Sequence, residues 1–166
     1  MEPILVQVYD DLVEITSLIA QDIFIDYYTP INGKDHATYM ANKFLSKEAI
    51  KEEIDQGTTF KLLMLNGQPI GFTEYKIDDD RVFLSKLYVN KDYRKHGYGK
   101  LLLNDCIEYA RSNNIKSIYL TVNKHNKTKD LYLHWDFKII DSVVTDIGNN
   151  YVMDDYIMEN RVGETK

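Results

Sequence analysis

Hydrophobic and polar positions alternate along this chain with two periods, and these periods predict most of its secondary structure. A spacing of three and four residues predicts helices, and an apolar or β-branched run bounded by turn residues predicts strands. The segment 27–35, which contains Pro30 and Gly33, is predicted to break the first helix. Strands are predicted over 4–9, 58–65, 70–77, 82–89, 118–122, 137–145 and 151–158. Helices are predicted from 10 or 11 to 23, over 36–56 with an interruption near Ser46, from about 101 to 114, and over 126–134.

Three short polar segments are predicted to be turns between strands. Asn66-Gly67 is a strong hairpin signal, and Gly148-Asn149-Asn150 turns the chain near its end. Asp78-Asp79-Asp80 could suggest calcium, but the spacing of an EF-hand is absent and a turn is the better interpretation. The resulting order, β-α-α-β-β-β-α-β-α-β-β, predicts a mixed α/β sheet, antiparallel in its first half and joined by a helical crossover in its second.

A basic, glycine-bearing segment lies between the fourth predicted strand and the helix after it. It reads Arg94-Lys95-His96-Gly97-Tyr98-Gly99-Lys100. A helix N-terminus exposes unpaired N–H groups with partial positive charge, and glycines let a ligand approach the backbone closely. The segment therefore predicts an anion site, with phosphate as the favoured anion. It lacks the Gly-Lys-Ser/Thr ending of a P-loop and the full Gly-x-Gly-x-x-Gly of a dinucleotide fold.

Length and charge narrow the class of protein. The 166 residues are predicted to form one domain over 1–166. A net charge of −6 argues against nonspecific nucleic-acid binding and is compatible with a cationic substrate. The single cysteine, Cys106, favours a reducing cytoplasm and a buried packing role. No bilayer-spanning run, signal-peptide n-region or metal-ligand spacing is found, so we expect no membrane and no metal.

The element order and the glycine loop together resemble the GNAT superfamily of acetyl-CoA-dependent N-acetyltransferases. The signature of that family after the fourth strand is Arg/Gln-x-x-Gly-x-Gly/Ala, and residues 94–99 match it at every specified position. Asn123 and Asn126 follow the fifth strand, Tyr132 lies in the next helix and Phe137 opens the sixth strand, as in the family pattern Asn-x-x-Ala-x-x-x-Tyr-x-x-x-Gly-Phe. The resemblance implies the GNAT fold, with fourth and fifth strands that splay apart.

The sequence departs from the family pattern at two places, and it is more closely similar to one group within the family. Asn126 and Tyr132 are six positions apart, one fewer than in the family, with Lys129 or Asp130 in place of the alanine. Asp136 replaces the glycine before Phe137. Residues 87–89, 95–102 and 147–158 are similar to bacterial spermidine/spermine N-acetyltransferases, which often carry a glutamate where this chain has Ser85.

The resemblance implies where acetyl-CoA binds. Backbone N–H groups from 95 to 100 would wrap the pyrophosphate, with Arg94 and Lys100 as charge partners. The backbone of the fourth strand would hold the pantetheine and polarise the thioester carbonyl, while the side chains there are interpreted as core. The predicted cofactor-binding residues are Leu87, Tyr88, Val89, Arg94, Lys95, His96, Gly97, Tyr98, Gly99, Lys100 and Asn126.

Acetyl transfer to an amine also requires proton transfer. Tyr132, which aligns with the acid of the family, is the predicted donor to the leaving thiolate. Glu74, on the strand before Ser85, is the predicted base, directly or through water. Asp154 and Asp155 are predicted to attract a cationic acceptor. For these three carboxylates an ordinary solvated role fits the sequence equally well.

The sequence therefore predicts an enzyme that acetylates a primary amine, with a polyamine such as spermidine or spermine as the leading acceptor. Acetylation of a protein N-terminus, an amino acid or an aminoglycoside is the alternative within enzymes. A coenzyme A-binding regulatory module without catalysis is the alternative of another class, supported by Ser85 and the altered segment 126–136. The expected partner is a small-molecule amine, without nucleic acid or membrane, and a homodimer is a candidate assembly.

Overall fold

A computed structural model gives the fold of residues 2–163. Seven strands and five α-helices form in this part of the chain, with two short 3-10 turns at Asp10–Leu12 and Lys91–Tyr93. The strands are β1 (Ile4–Gln7), β2 (Thr59–Leu65), β3 (Gln68–Asp78), β4 (Arg81–Val89), β5 (Ser117–Asn123), β6 (Lys138–Gly148) and β7 (Tyr151–Arg161). The helices are α1 (Val13–Asn32), α2 (Lys34–Leu45), α3 (Lys47–Asp55), α4 (Tyr98–Ser112) and α5 (Thr128–His134).

The strands form a mixed sheet in the order β1-β2-β3-β4-β5-β7-β6. The pairs β1–β2, β2–β3, β5–β7 and β6–β7 are antiparallel, whereas β4 and β5 are parallel. The parallel pairing joins Val82 to Ile118 and Phe83 to Tyr119, near the start of both strands. The predicted mixed α/β class is confirmed, and the separation of β4 from β5 further along stays a prediction.

Most predicted turns and breaks are confirmed. Ser46 separates α2 from α3 and caps α3, since its Oγ accepts a hydrogen bond from the Ala49 N–H at 3.1 Å. Asn66 and Gly67 both adopt the positive φ that a tight hairpin needs, at 53° and 78°. Asp79 also has a positive φ, in the turn between β3 and β4.

The predicted break over 27–35 is wrong for its first part, because α1 continues through Pro30 to Asn32. A proline removes one backbone donor, and this costs most in a helix interior. Pro30 lies close to the end of α1, so little of the helix follows it. The Thr29 hydroxyl donates to the Ile25 carbonyl at 2.6 Å in this turn. The helix ends at Gly33, whose φ of 88° is unfavourable for residues with a side chain.

The chain divides into two compact units. The first comprises the described residues up to Lys76 together with Lys86–Asp105, and the second comprises Ile77–Ser85 and the described residues from Cys106 onward. The single domain over 1–166 therefore stays a prediction. None of the described helices is both long and apolar enough to cross a membrane.

The strands of the first unit have apolar contacts on both faces. On one face, the stacked rings of Phe60 and Phe72 lie 5.7 Å apart, and Phe72 lies 5.4 Å from the ring of Tyr88. Phe24 of α1 packs against Tyr88 at 5.6 Å. The other face forms a second cluster with the start of α4, and its buried members are Leu63, Ile70, Val89 and Leu102.

The second unit is built on β5 and β7. Its buried apolar residues on these strands and on the start of β4 are Val82, Leu84, Ile118, Leu120, Val122 and Met158. A polar and aromatic network surrounds Tyr119, which stacks on Phe83 at 4.8 Å and lies under the Arg81 guanidinium at 4.1 Å. Its hydroxyl donates to Asp78, and burial, followed by this bond, raises the pKa of Tyr119 to about 12.

Asp105 of α4 makes two polar contacts to the sheet of the first unit. Its carboxylate accepts from Lys61 Nζ of β2 at 2.8 Å and from the Tyr75 hydroxyl of β3 at 2.6 Å. The side chains of Lys61 and Asp105 are only 20% and 17% exposed, and Tyr75 is fully buried. Such a buried charge is tolerated because both of its partners are present.

We predict that Asp105→Ala lowers the free energy of unfolding by about 3 kcal/mol, because Lys61 and Tyr75 lose their shared acceptor in a shielded site. Glu108→Ala is the control on the same helix. Its ion pair with Arg111 is exposed, so we expect a loss of at most about 0.5 kcal/mol. Urea unfolding of both variants measures the difference, and equal losses would contradict the role given to Asp105.

Candidate functional site

The basic loop forms an anion-binding geometry at the start of α4. Lys95 and Gly97 both have positive φ, at 66° and 83°. Left-handed residues in a turn let successive N–H groups point to one side, which creates an anion-binding concavity. The Leu101 N–H donates to the Gly97 carbonyl at 3.1 Å as α4 begins, so the preceding N–H groups belong to the first turn of the helix. This arrangement suits a phosphate group.

Arg94 is fixed at its inner end and open at its outer end. Its Nε donates to the Val89 carbonyl at 3.0 Å, and its guanidinium carbon lies 5.2 Å from the centre of the Tyr27 ring. Within the described residues, no carboxylate lies within ion-pair distance of Arg94. The two terminal amino groups can therefore meet an anion from outside.

The predicted cofactor strand, residues 87–89 at the end of β4, lies between two packed faces. Leu87 and Val89 contribute to the cluster with Leu102 of α4. Tyr88 contributes to the aromatic face, and its hydroxyl forms a 2.8 Å hydrogen bond with that of Tyr28 in α1. The side chains of the strand are thus engaged in packing, and its backbone is the part suited to a ligand.

Gly71 of β3 gives β4 its position. A methyl group at Gly71 would lie 2.7 Å from the Tyr88 carbonyl oxygen and 3.4 Å from the Val89 Cα. Both of these atoms belong to backbone, which cannot rotate away. A side chain at Gly71 would therefore displace the strand predicted to hold the thioester.

Glu74, the predicted base, is buried and ion-paired. Its Oε2 lies 3.5 Å from Lys86 Nζ, and the two side chains are 6% and 12% exposed. The Lys86 ammonium also lies 5.6 Å from the Phe44 ring centre. Glu74 thus already has a cationic neighbour, and a substrate ammonium would compete with Lys86 for it.

Tyr132, the predicted acid, lies in α5 of the second unit and is 7% exposed. Its ring packs edge-on against Trp135 at 5.7 Å and Phe137 at 5.5 Å. The turn after α5 contains Asp136 with a φ of 70°, the left-handed conformation that favours glycine. Asp136 thus keeps the backbone shape that the family's glycine would give, and an aspartate tolerates it.

Asn126 has a local structural role. It is buried, and its Oδ1 accepts from the Thr128 N–H at 2.9 Å where α5 begins. This side-chain bond satisfies one of the N–H groups at the helix start. A role in binding a cofactor would have to use the remaining atoms of the side chain.

The two aspartates of β7 have different surroundings. Asp154 Oδ1 lies 3.1 Å from Lys124 Nζ, so its charge has a counter-ion. Asp155 is only 6% exposed and pairs in register with Asn123 of β5 and Val143 of β6. Burial, followed by the charge of Asp154, raises the pKa of Asp155 to about 6, against an opposing effect of Lys124.

The predicted site residues fall into two groups. Glu74, residues 87–89 and the loop 94–100 lie in the first unit, and Asn126, Tyr132, Asp154 and Asp155 lie in the second. The sequence interpretation did not single out Gly71, Tyr27 or Lys86. A glycine inside a strand can mark a close backbone approach, so a signal for Gly71 was present. Tyr27 and Lys86 carry no local signal, because their partners depend on tertiary packing.

Comparison with known proteins places this geometry in a family. Residues 19–137 match the family model described as "Acetyltransferase (GNAT) family". The match includes the basic loop, Glu74 and Tyr132, and ends at Phe137.

Solved structures share the fold over nearly the whole chain. An N-acetyltransferase described as PaiA from Thermoplasma acidophilum, solved in complex with coenzyme A, has a TM-score of 0.82 and 23% identity, and covers 97% of this chain and 99% of its own. A GCN5-related N-acetyltransferase from Rhodopseudomonas palustris has a TM-score of 0.80 and 14% identity, with 97% and 96% covered. An N-acetyltransferase from Staphylococcus aureus Mu50 has a TM-score of 0.69 and 15% identity, with 98% and 99% covered.

We predict that Gly71→Ala destabilises the protein by about 1–3 kcal/mol, the usual cost of a side chain forced into a packed site. We also expect weaker coenzyme A binding, since the Tyr88 and Val89 backbone must move. The control is Gly57→Ala. A methyl group at Gly57 meets nothing within 4 Å, but the backbone there has a φ of 99°. It should lose stability through backbone strain alone. Calorimetric titration with coenzyme A separates the two variants, and equal affinities would contradict the role of Gly71.

The pKa of Asp155 gives a stability prediction with a definite sign. The pKa of Asp155 is about 6 in the folded chain, whereas an aspartate in an unfolded chain has a pKa of about 3.9. The carboxyl therefore costs stability as the pH rises through this window. Asp155→Asn should be more stable than the parent by about 1–2 kcal/mol at pH 7, after allowance for residual solvation, with no gain below about pH 4. Unfolding curves between pH 4 and 7 measure the difference, and a pH-independent difference would refute it.

Proposed function

The chain belongs to the acetyltransferase (GNAT) family, and we propose that it transfers the acetyl group of acetyl-CoA to a primary amine of a small molecule. The observation that carries the proposal is the loop at the start of α4, with left-handed Lys95 and Gly97 and the outward-facing end of Arg94. A doubly charged pyrophosphate fits such a concavity, which offers several N–H donors and a guanidinium. The relative solved with coenzyme A supports the same ligand.

In the proposed complex, the loop residues 95–100 and Arg94 hold the pyrophosphate, and the backbone of 87–89 holds the pantetheine. A strand N–H at this position would polarise the thioester carbonyl as negative charge develops on its oxygen. The packed side chains of Leu87 and Val89 support this assignment, because they keep the strand rigid while leaving backbone groups for the ligand. Lys100 and Asn126 stay proposed contacts of the cofactor.

The proposed reaction is a direct transfer. The nitrogen of the neutral amine forms a bond to the carbonyl carbon, and the carbon–sulfur bond breaks. Attack requires the neutral amine, and Glu74 is the proposed acceptor of the proton that a substrate ammonium loses before attack, directly or through water. The thiolate takes a proton from Tyr132, and the nitrogen loses a second proton as the amide forms, which restores the Tyr132 phenol. An amine that loses its proton to solvent before attack would need less help from this base.

We propose a polyamine as the acceptor, with Asp154 and Asp155 attracting its cationic chain. The acidic net charge and the likeness of 147–158 to polyamine acetyltransferases support this acceptor. A protein N-terminus, an amino acid and an aminoglycoside are the alternatives. A cytoplasmic location and a homodimeric assembly belong to the same proposal, and light scattering of the purified protein tests the assembly.

Purified protein, acetyl-CoA and a panel of amines test the acceptor. We expect thiol release with spermidine or spermine, because a polyamine offers both a primary amine and further cations for the aspartates. The panel also contains an amino acid, a peptide with a free N-terminus and an aminoglycoside. Release with one of these but not with a polyamine would overturn the polyamine proposal. Coenzyme A binding without release from any amine would favour the regulatory module.

Tyr132→Phe tests the proposed acid. The phenyl ring keeps the contacts to Trp135 and Phe137, so the fold should persist while the proton donor is lost. We expect kcat to fall about 100-fold, the order typical of general acid catalysis, with unchanged affinity for coenzyme A. The matched control is Tyr9→Phe, at a tyrosine that is 62% exposed. A parent-like kcat for Tyr132→Phe would exclude Tyr132 as the acid.

A further inference from the structure

Tyr27 of α1 contacts the one arginine of the basic loop. The guanidinium carbon of Arg94 lies 5.2 Å from the centre of the Tyr27 ring, within the range of a cation–π interaction. Tyr27 itself is held by two other rings, Tyr28 at 4.9 Å and Tyr88 at 5.3 Å. The arginine thus rests on an aromatic surface whose position is set by α1 and β4.

The second contact of Arg94 fixes its direction. Its Nε donates to the Val89 carbonyl at 3.0 Å, which leaves the two terminal amino groups at the far end of the side chain. These are the groups that make a two-pronged contact with a phosphate. An unrestrained arginine would lose side-chain entropy when it binds, whereas one already held by a ring and a carbonyl loses less.

We propose that Tyr27 is a positioning residue for acetyl-CoA, which holds Arg94 in the orientation that binds the pyrophosphate. The proposal rests on the proposed function, since it takes the pyrophosphate as the ligand of the loop. It adds a residue that lies outside the family's glycine motif, in helix α1, which is far from the loop in the sequence. Tyr27 touches neither the acetyl group nor the phosphate in this assignment, and it acts only through Arg94.

Two substrates distinguish positioning of the pyrophosphate from a general structural effect. S-acetylpantetheine carries the same thioester as acetyl-CoA but has no pyrophosphate. Tyr27→Ala should raise KM for acetyl-CoA about three- to five-fold, as expected for a cation–π contact at a partly exposed site, with little change in kcat. Its KM for S-acetylpantetheine should equal that of the parent. Tyr27→Phe keeps the ring and should recover most of the affinity for acetyl-CoA.

The partnership with Arg94 is tested by a double-mutant cycle. Arg94→Gln should raise KM for acetyl-CoA about ten-fold, because a charge-assisted contact to phosphate is lost. Adding Tyr27→Ala to Arg94→Gln should cause no further rise, since the tyrosine then has no guanidinium to hold. Tyr9→Ala is the matched control, because Tyr9 is exposed and lies outside this cluster.

The outcomes separate this inference from the proposed function. If the parent protein binds no coenzyme A in a calorimetric titration, the proposed function fails and the inference with it. If the parent binds coenzyme A but Tyr27→Ala has the parent KM, the inference alone is overturned. An equal rise in KM for both substrates, or additive effects of Tyr27→Ala and Arg94→Gln, would also overturn it.

Discussion

The geometry of the basic loop depends on Val89, because this residue is engaged both through its side chain and through its backbone. The side chain packs with Leu63, Ile70 and Leu102, which fixes the start of α4 against the sheet. The carbonyl accepts a hydrogen bond from Arg94. One residue therefore positions both the helix N-terminus and the nearest arginine, two of the sources of positive potential in the loop. A shift of β4 would move both of them together.

The position of β4 depends in turn on how closely β3 can approach it. Gly71 allows this approach, since any side chain would meet the Tyr88 carbonyl oxygen at 2.7 Å. On the opposite face, Tyr88 joins the aromatic cluster with Tyr27 and Tyr28 of α1. β4 is therefore held by the close backbone of β3 and by its packing against the aromatic rings of α1. Such a strand can present its backbone to a ligand without a large cost of ordering.

The sequence alone could predict features that depend on neighbouring residues, and it could not predict contacts between positions that are distant along the chain. The order of elements, the turn at Asn66 and Gly67 and the loop at the start of α4 depend on neighbouring residues, and a local pattern carries that information. The sequence predicts too early an end for α1, because Pro30 lies close to the last residue of the helix, where a proline costs little. The Glu74–Lys86 pair and the Tyr27–Arg94 contact join distant positions, so strand register and helix placement had to be known first.

The surroundings of the three proposed carboxylates bear on which amine the proposed enzyme would accept. Glu74 is paired with Lys86 and Asp154 with Lys124, so two of the three proposed carboxylates already have a cation beside them. A cationic substrate would have to displace a lysine, and the exchange of one ammonium for another gains little electrostatic energy.

Asp155 differs from these two carboxylates, because burial keeps a fraction of its carboxyl groups in the neutral form near pH 6. A neutral carboxyl attracts a cation weakly, so polyamine binding through Asp155 requires its ionisation, and an approaching ammonium favours that ionisation. Selectivity for a cationic acceptor would thus rest more on Asp155 than on the acidic net charge of the chain.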